Sequence, residues 1–430
     1  MKSYSKSLAL LQQVENLVPG ASQTFSKSSL LYPRGHSPHF LERGQGSRAW
    51  DVDGNEYVDI IAGLLAILLG YCDAEVDHAI TEQLKKGISF SLSTRLEAEL
   101  AEQIIDILPS AEMVRFAKNG SDVTSAAVRI ARAATGRERI IITGYHGWHD
   151  WYVGSTSRDR GVPGATSQLT HAVAFNDLDA MQQVIAQYPG EIAAIVMEPV
   201  YAEQPDAGYL QAARELCNKN GIVLVFDEII TGFRVHLGGA QSHYDVTPDL
   251  TCLGKALGNG MPVAVLTGSR SLMQEFEKVF VSGTFAGETL SLAAALAVIE
   301  KLRAEPVIAS LWRNGEFMKS GMDEILRRHG LASSIHLRGL PPMQSLQFTP
   351  SEHASAAEIQ TLLVIQMLER GVLTMGALNQ MYAHDDADLA HVLSALDESC
   401  AVIKHEIQSP GLEARLACPL IQPVFQVRKS

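Results

Sequence analysis

Little in this 430-residue sequence could cross-link it. It has five cysteines, an odd number (Cys72, Cys217, Cys252, Cys400 and Cys418), and no two form a CxxC pair. Neither a disulfide framework nor a zinc knuckle is therefore expected, and reduced, mostly buried thiols are. Positive charge is also short, with 35 Lys and Arg against 48 Asp and Glu, a net of −13. A surface that negative repels phosphate backbones and anionic lipid, so neither nucleic acid nor a membrane is an expected partner. Long hydrophobic runs are missing too. The longest, Ile60–Cys72, contains Gly63 and Gly70 and falls short of the ~20 residues a bilayer span needs. The opening MKSYSKSLALLQQVENLVPG has its apolar run broken by Gln and Glu, so no signal peptide is expected and the protein reads as cytoplasmic. What remains, 46% apolar with 19% charged residues and no repeat or biased tract, is an ordinary globular composition long enough for two or three domains.

The pattern along the chain predicts a short N-terminal helix ending at Pro19-Gly20 and a strand pair around Arg48–Tyr57, turned by Asp53-Gly54-Asn55. Helical periods (Arg95–Leu108, Ser121–Ala134, Leu178–Tyr188) then alternate with short apolar runs (Arg139–Thr143, Ile192–Met197, Ile222–Phe226, Val263–Thr267). Strands apolar throughout and separated by helices predict an α/β fold with a mostly parallel sheet covered on both faces. The last hundred or so residues predict a smaller α+β domain, with long helices around short strands near His336–Arg338, Gln344–Phe348 and Gly371–Thr374. In an open parallel sheet ligands bind beyond the carboxyl ends of the strands, so the informative residues should follow each apolar run.

Five segments stand at such places. In Leu224-Val225-Phe226-Asp227-Glu228 a buried strand runs into two carboxylates. Asp227 there either meets a partner in a site or serves as a helix cap or structural ion pair. Lys255 lies in Leu253-Gly254-Lys255-Ala256-Leu257-Gly258-Asn259-Gly260, an apolar, glycine-rich setting. Desolvation would make its amine a nucleophile able to form a Schiff base, whereas a loop lysine would simply face water. Asn119-Gly120-Ser121 opens a helix after Met113–Ala117 and could cradle a phosphate on backbone N–H groups, or be an ordinary cap. Tyr145-His146-Gly147-Trp148-His149-Asp150 offers an aromatic to stack on a planar ring. Its HxxHD spacing leaves open a metal site, and with it a metal-dependent hydrolase. Ser282-Gly283-Thr284-Phe285-Ala286-Gly287-Glu288 is a small-residue loop with a possible anion contact. Together a reactive lysine, an acid for a ring nitrogen, an aromatic stacker and a phosphate cradle match the needs of pyridoxal phosphate, with no metal required.

On these residues the sequence resembles the class III aminotransferases, and within them the glutamate-1-semialdehyde aminomutase branch. The resemblance runs from Asp51-Val52-Asp53-Gly54-Asn55-Glu56-Tyr57-Val58-Asp59 through Val128-Arg129-Ile130-Ala131-Arg132, Tyr145-His146-Gly147 and Met197-Glu198-Pro199-Val200. It ends with Asp227–Arg234, the Lys255 segment and Gly283-Thr284-Phe285. It implies the fold type I architecture of pyridoxal-phosphate-dependent transferases: an N-terminal segment 1–65 joined to the small domain, a large cofactor domain 66–309 and a small domain 310–430. It also implies a homodimer with shared active sites, acting on an amino donor and a carbonyl acceptor. In these terms Lys255 carries the Schiff base and shuttles the proton, and Asp227 keeps the pyridine nitrogen protonated. Tyr145 and Ile229 pack against the two faces of the ring. Asn119, Gly120 and Ser121 surround the phosphate, and Thr284 reaches it from the neighbouring subunit.

The chain departs from the pattern at Lys118, Asn119, Asp122 and Glu288, and more tellingly at Thr374-Met375-Gly376-Ala377-Leu378-Asn379-Gln380-Met381-Tyr382. There the aminomutases carry Ser-x-Phe-Glu-Ala-Gly-Phe, and Gly20-Ala21-Ser22-Gln23-Thr24 also lacks that branch's Asn-Ser-Pro. No arginine of the ornithine type stands between Gly371 and Asp385. The expectation is therefore an aminotransferase with a specialised carbonyl acceptor such as a keto sugar, with an aminomutase or an epimerase as alternatives.

Overall fold

The computed structural model describes residues 2–200, 203–423 and 427. The chain divides into two compact units, one of residues 1–73 and 309–424, the other of 74–308 and 425–430. The second holds a seven-stranded sheet. Its strands are β1 (Met113–Ala117), β2 (Arg139–Thr143), β3 (Thr170–Ala172), β4 (Ile192–Met197), β5 (Val223–Asp227), β6 (Leu250–Leu253) and β7 (Ala264–Gly268). Their spatial order is β1-β7-β6-β5-β4-β2-β3. Only β7 runs against its neighbours β1 and β6, so the other six share one direction and present their carboxyl ends along one edge.

These strands are apolar throughout because both faces are covered. Alternate side chains enter different cores, as the two-residue period of a strand requires. Ile140, Ile142, Ala194, Val196, Val223 and Val225 pack with Val123, Ala127, Ile130 and Ala131 of the helix Gly120–Thr135. Ile141, Ile195, Met197, Leu224 and Phe226 pack on the other face with Met181, Val184, Leu210 and Ala213. The expected strand Ile222–Phe226 is shifted by one residue. β5 includes Asp227, which pairs in parallel register with Cys252 of β6, so the acid belongs to the end of the strand itself.

The first unit has an α+β core of its own. Leu41–Gln45, Arg48–Asp51, Glu56–Asp59 and Val372–Leu373 form one sheet, and Ile335–Leu340, Met343–Phe348 and Ala377–Asn379 another. The Asp53-Gly54 turn is stapled by Asp51, whose carboxylate accepts from the N–H groups of Asp53 and Asn55 and from the Tyr57 hydroxyl. Helices Ala356–Glu369 and Asp386–Glu406 supply Leu363, Met367, Leu396 and Ile403 to its core. Among the described residues no helix is long and apolar enough to cross a membrane.

Candidate active site

Five of the six co-directional strands deliver side chains to one edge of the sheet. β5 ends in Asp227, which is buried. Its Oδ1 accepts the N–H of Ile229 at 3.2 Å, and its Oδ2 lies 2.8 Å from His146 Nδ1. His146, in the turn after β2, is fully buried, and its Nε2 stands 2.9 Å from the carbonyl of Thr143. A carbonyl can only accept, so Nε2 carries a hydrogen. The remaining proton is shared between Nδ1 and the carboxylate, an arrangement that favours the imidazolium. Burial alone would discourage that charge, but the hydrogen bond and charge of Asp227 outweigh it and hold His146 above its ordinary range.

β6 leads through Gly254 into Lys255, which opens a short 3-10 turn, Lys255–Gly258. Lys255 has φ +43, a left-handed conformation that costs a non-glycine residue on the order of 1 kcal/mol and persists only where its surroundings enforce it. Burial lowers the pKa of its amine; the charges of Glu198 and Asp227 oppose this and that of Arg234 adds to it. Desolvation of this kind makes the proton easier to remove than from a lysine in water.

β1 leads into the helix Gly120–Thr135. Asn119 sits at its N-terminus, where Asp122 Oδ2 accepts the Asn119 N–H at 2.9 Å. The first N–H groups of the helix have no partner inside it, which makes this end an anion site backed by the helix dipole. Gly120 is closely packed: a Cβ there would lie 2.6 Å from Ile229 Cδ1. A Cβ on Gly147 would lie 2.2 Å from Ser121 Oγ, and that hydroxyl accepts the N–H of Trp148 at 3.3 Å. The ring of Tyr145 is 45% exposed, which leaves a face open. Its edge-on neighbour is Tyr152, at 5.5 Å and 83°.

Asp227, Tyr145, Ile229, Gly120 and Ser121 are thus linked through shared contacts at one strand edge, and the amine of Lys255 feels the charges of Asp227 and Glu198. Thr284 is placed otherwise, on an exposed loop lining a groove of about 990 Å³ together with Lys118, Asp122, Ser125, His149 and Glu288. The metal alternative loses its ligands. His146 is engaged by Asp227 and Thr143, His149 Nδ1 lies 2.6 Å from Ser125 Oγ, and Asp150 opens the short helix Asp150–Val153. Among the described residues no group of three His, Cys, Asp or Glu side chains is placed to hold a metal ion.

Two participants carried no role in the sequence reading. His146 stood only as a metal ligand, and Glu198 only as a letter in Met197-Glu198-Pro199-Val200. Glu198 follows β4, is buried, and accepts the Tyr145 N–H at 2.8 Å through Oε2. Glu198 follows an apolar strand directly and His146 stands in the turn just after one, the positions that the strand-end rule singles out.

A buried acid hydrogen-bonded to a buried histidine, a half-buried lysine and a helix N-terminus lie along one sheet edge. Residues 31–398 match the family model for class-III aminotransferases, and the chain belongs to that family. It is 33% identical over 410 residues to a 3-aminobutyryl-CoA aminotransferase of Cloacimonas acidaminovorans, covering 93% of this chain and 98% of that one. A glutamate-1-semialdehyde 2,1-aminomutase of Roseiflexus castenholzii is 36% identical over 434 residues, covering 94% and 99%. Among solved structures, the pyridoxal-phosphate internal aldimine form of the FumI protein of Sphingopyxis sp. MTA144 superposes with a TM-score of 0.88 at 27% identity, covering 96% of this chain and all of that one. The architecture is that of the fold type I transferases.

Proposed function

We propose that this chain moves an amino group between an amine donor and a carbonyl acceptor, with Lys255 as its covalent anchor and proton carrier. The cofactor is pyridoxal phosphate, as family membership and the aldimine-bearing structural neighbour indicate, and when bound it supplies the electron sink for the reaction. One observation carries the assignment of roles: the hydrogen-bonded pair of His146 and Asp227 lies at the end of β5, beside the strand end that delivers Lys255. Asp227, fixed by Ile229 N–H and by His146, is oriented to hold a proton on a ring nitrogen. Gly120 and Ser121 offer N–H groups to the phosphate, and the Tyr145 ring and Ile229 confine the plane. The lowered pKa of Lys255 suits an amine that must act as a base at neutral pH.

An amine borne on a carbon other than the α-carbon is the donor we favour, supported by the 3-aminobutyryl-CoA relative and by the loss of the aminomutase pattern at 374–382. A keto sugar is the acceptor class we propose beside simple keto acids. The second reading is an intramolecular aminomutase, favoured by the 36% identical relative. We also propose a homodimer in the cytoplasm. Phe90, Leu92, Phe280 and Phe285 line the groove beside Thr284 with their rings and branches largely exposed, a patch that a second copy would cover. The free state of the cysteines fits a reducing compartment.

The test is the visible spectrum of the purified protein with pyridoxal phosphate, titrated with amine donors and then with keto acids and keto sugars. A visible band that bleaches with a donor, returns with an acceptor and is lost in Lys255→Ala supports the reading. Turnover of a single amino-carbonyl substrate with no acceptor would replace it by the aminomutase. A protein that never takes up colour would overturn both.

A further inference from the structure

Glu198 has so far only a position. It leaves β4 buried at 6% exposure, and its Oε2 takes the N–H of Tyr145 at 2.8 Å. The residue before Tyr145 is Gly144, with φ +94, and a Cβ there would stand 2.3 Å from that same oxygen. The glycine therefore both permits the turn after β2 and leaves the space the carboxylate fills. From the other side the Tyr152 hydroxyl donates to the Gly144 carbonyl at 3.1 Å. The segment 143–146 is gripped by side chains at each end, and the grip on the Tyr145 amide is the carboxylate.

We infer that Glu198 is a positioning residue of the aminotransferase site: its carboxylate fixes the backbone of Tyr145, and through it the ring, from the end of the neighbouring strand. The groups around it come from every neighbouring strand end. They are Asp227 from β5, His146 and Tyr145 from the turn after β2, and Lys255 from the turn after β6, with Arg234 acting on Lys255 in turn. Burial and the charge of Asp227 push the Glu198 carboxyl up to about 7, against the opposing pull of His146, the Tyr145 N–H and Lys255. Glu198 thus gains its charge near neutrality, and an ionised Glu198 favours a protonated nitrogen on Lys255. The proposal rests on the aminotransferase reading for the meaning of the Tyr145 ring and Lys255, but not for the hydrogen bond.

Two variants separate the hydrogen bond from the charge. Glu198→Gln keeps an oxygen to accept the Tyr145 N–H and removes the charge, whereas Glu198→Ala removes both. Amide exchange of the peptide covering 143–149, measured on the cofactor-free protein, reads the grip directly. It is expected to quicken at least about tenfold in Glu198→Ala, as when a backbone hydrogen bond opens more easily, and to stay native in Glu198→Gln. With pyridoxal phosphate bound, the pH midpoint of the visible band is expected to fall by about half a unit or more in Glu198→Gln, since loss of a nearby negative charge disfavours a protonated nitrogen. Visible circular dichroism should remain native in Glu198→Gln and weaken in Glu198→Ala. Unchanged exchange in Glu198→Ala, or an unmoved midpoint in Glu198→Gln, would overturn the inference. Should the alanine variant fail to fold, the glutamine midpoint alone decides. Native protein that shows the exchange effect and yet takes up no cofactor would sink the functional reading and leave the grip on Tyr145 standing.

Discussion

The neighbouring strands β4 and β5 each end in a buried carboxylate, and the two are held in opposite ways. Asp227 faces a cation: His146 is sealed between it and the Thr143 carbonyl, so the acid and the imidazole share their charge in the dry interior. Glu198 has a backbone N–H as its hydrogen-bond donor and lies close enough to Asp227 to be repelled by it. An ion pair fixes charge, whereas a carboxyl beside another carboxyl and a single amide becomes a group that titrates. The same sheet edge thus carries one carboxylate held by an imidazole and one held by a backbone amide.

Breaking the imidazole-held one should have the largest effect. Asp227→Ala leaves the His146 imidazole buried with no counter-charge, and removing one partner of a buried pair costs about 3–5 kcal/mol. Urea unfolding at pH 7 should show that loss. Asp227→Asn keeps the shape but not the charge. It should lower the rate of the amine half-reaction by roughly 10²–10³, the scale of losing one preorganised electrostatic contact. Near-native rates in Asp227→Asn would show that the acid is structural only.

Glu198 sharpens the contrast through pH. Its carboxyl is raised from 4.5 to about 7 in the folded chain, so the folded state binds its proton more tightly than the unfolded state does. The stability it contributes is fully present below pH 4.5 and is lost as pH rises through 7. Glu198→Gln cannot titrate. Native protein should therefore lose about 1–3 kcal/mol relative to the variant between pH 4.5 and 7.5, read from paired denaturation curves at each pH. A constant difference across that window would mean the carboxyl does not change its ionisation on folding.

A smaller effect tests whether the floor of the site is set by packing. Gly120→Ala would press a methyl onto Ile229, 2.6 Å from its Cδ1. The contact is with the end of a side chain that can turn, so the cost should be about 1 kcal/mol. Gly120→Ala with Ile229→Ala should give back part of that loss in thermal unfolding. If it gives nothing back, the glycine is there for the phosphate side alone.

The fold was legible because periodicity reports burial. All-apolar runs such as Ile192–Met197 announce a strand covered on both faces, and Ser121–Ala134 showed its turns in the spacing of Val, Ile and Ala, within the helix Gly120–Thr135 of the structure. Asp227 and Lys255 stood out because charge after an apolar run is costly and asks for a reason. His146 was visible only through the metal alternative: HxxHD spacing suggests convergence, whereas the turn at Gly147 (φ +99) sends His146 inward to a strand 81 residues away and His149 toward Ser125. Pairings of that sequence separation leave no periodic trace. Glu198 was missed for a related reason, since its partner is a backbone amide, which every residue has.

The departures at Lys118 and Glu288 were visible as separate oddities, and the structure joins them. Lys118 Nζ lies 2.9 Å from Glu288 Oε2, with side chains 18% and 12% exposed. The pair ties the residue before the phosphate-side turn to the residue that ends the Thr284 loop. Glu288 is already committed: its carboxylate accepts from the N–H groups of Leu290 and Ser291 and from the Ser291 hydroxyl at the start of Thr289–Ala304. These donors, like Lys118, pull its pKa down against burial. This ion pair is therefore supported on one side and partly wetted, unlike His146–Asp227, and should be worth far less. Lys118→Met, Glu288→Gln and the double variant form a cycle whose coupling energy is expected near 1 kcal/mol, low in the range for contacting pairs. Glu288→Gln preserves an acceptor for the helix cap, so the cycle isolates the lysine. A coupling within error of zero would make Lys118 a solvated cation that merely lies nearby. A coupling as large as that of the buried pair would mean that partial exposure does not separate the two regions.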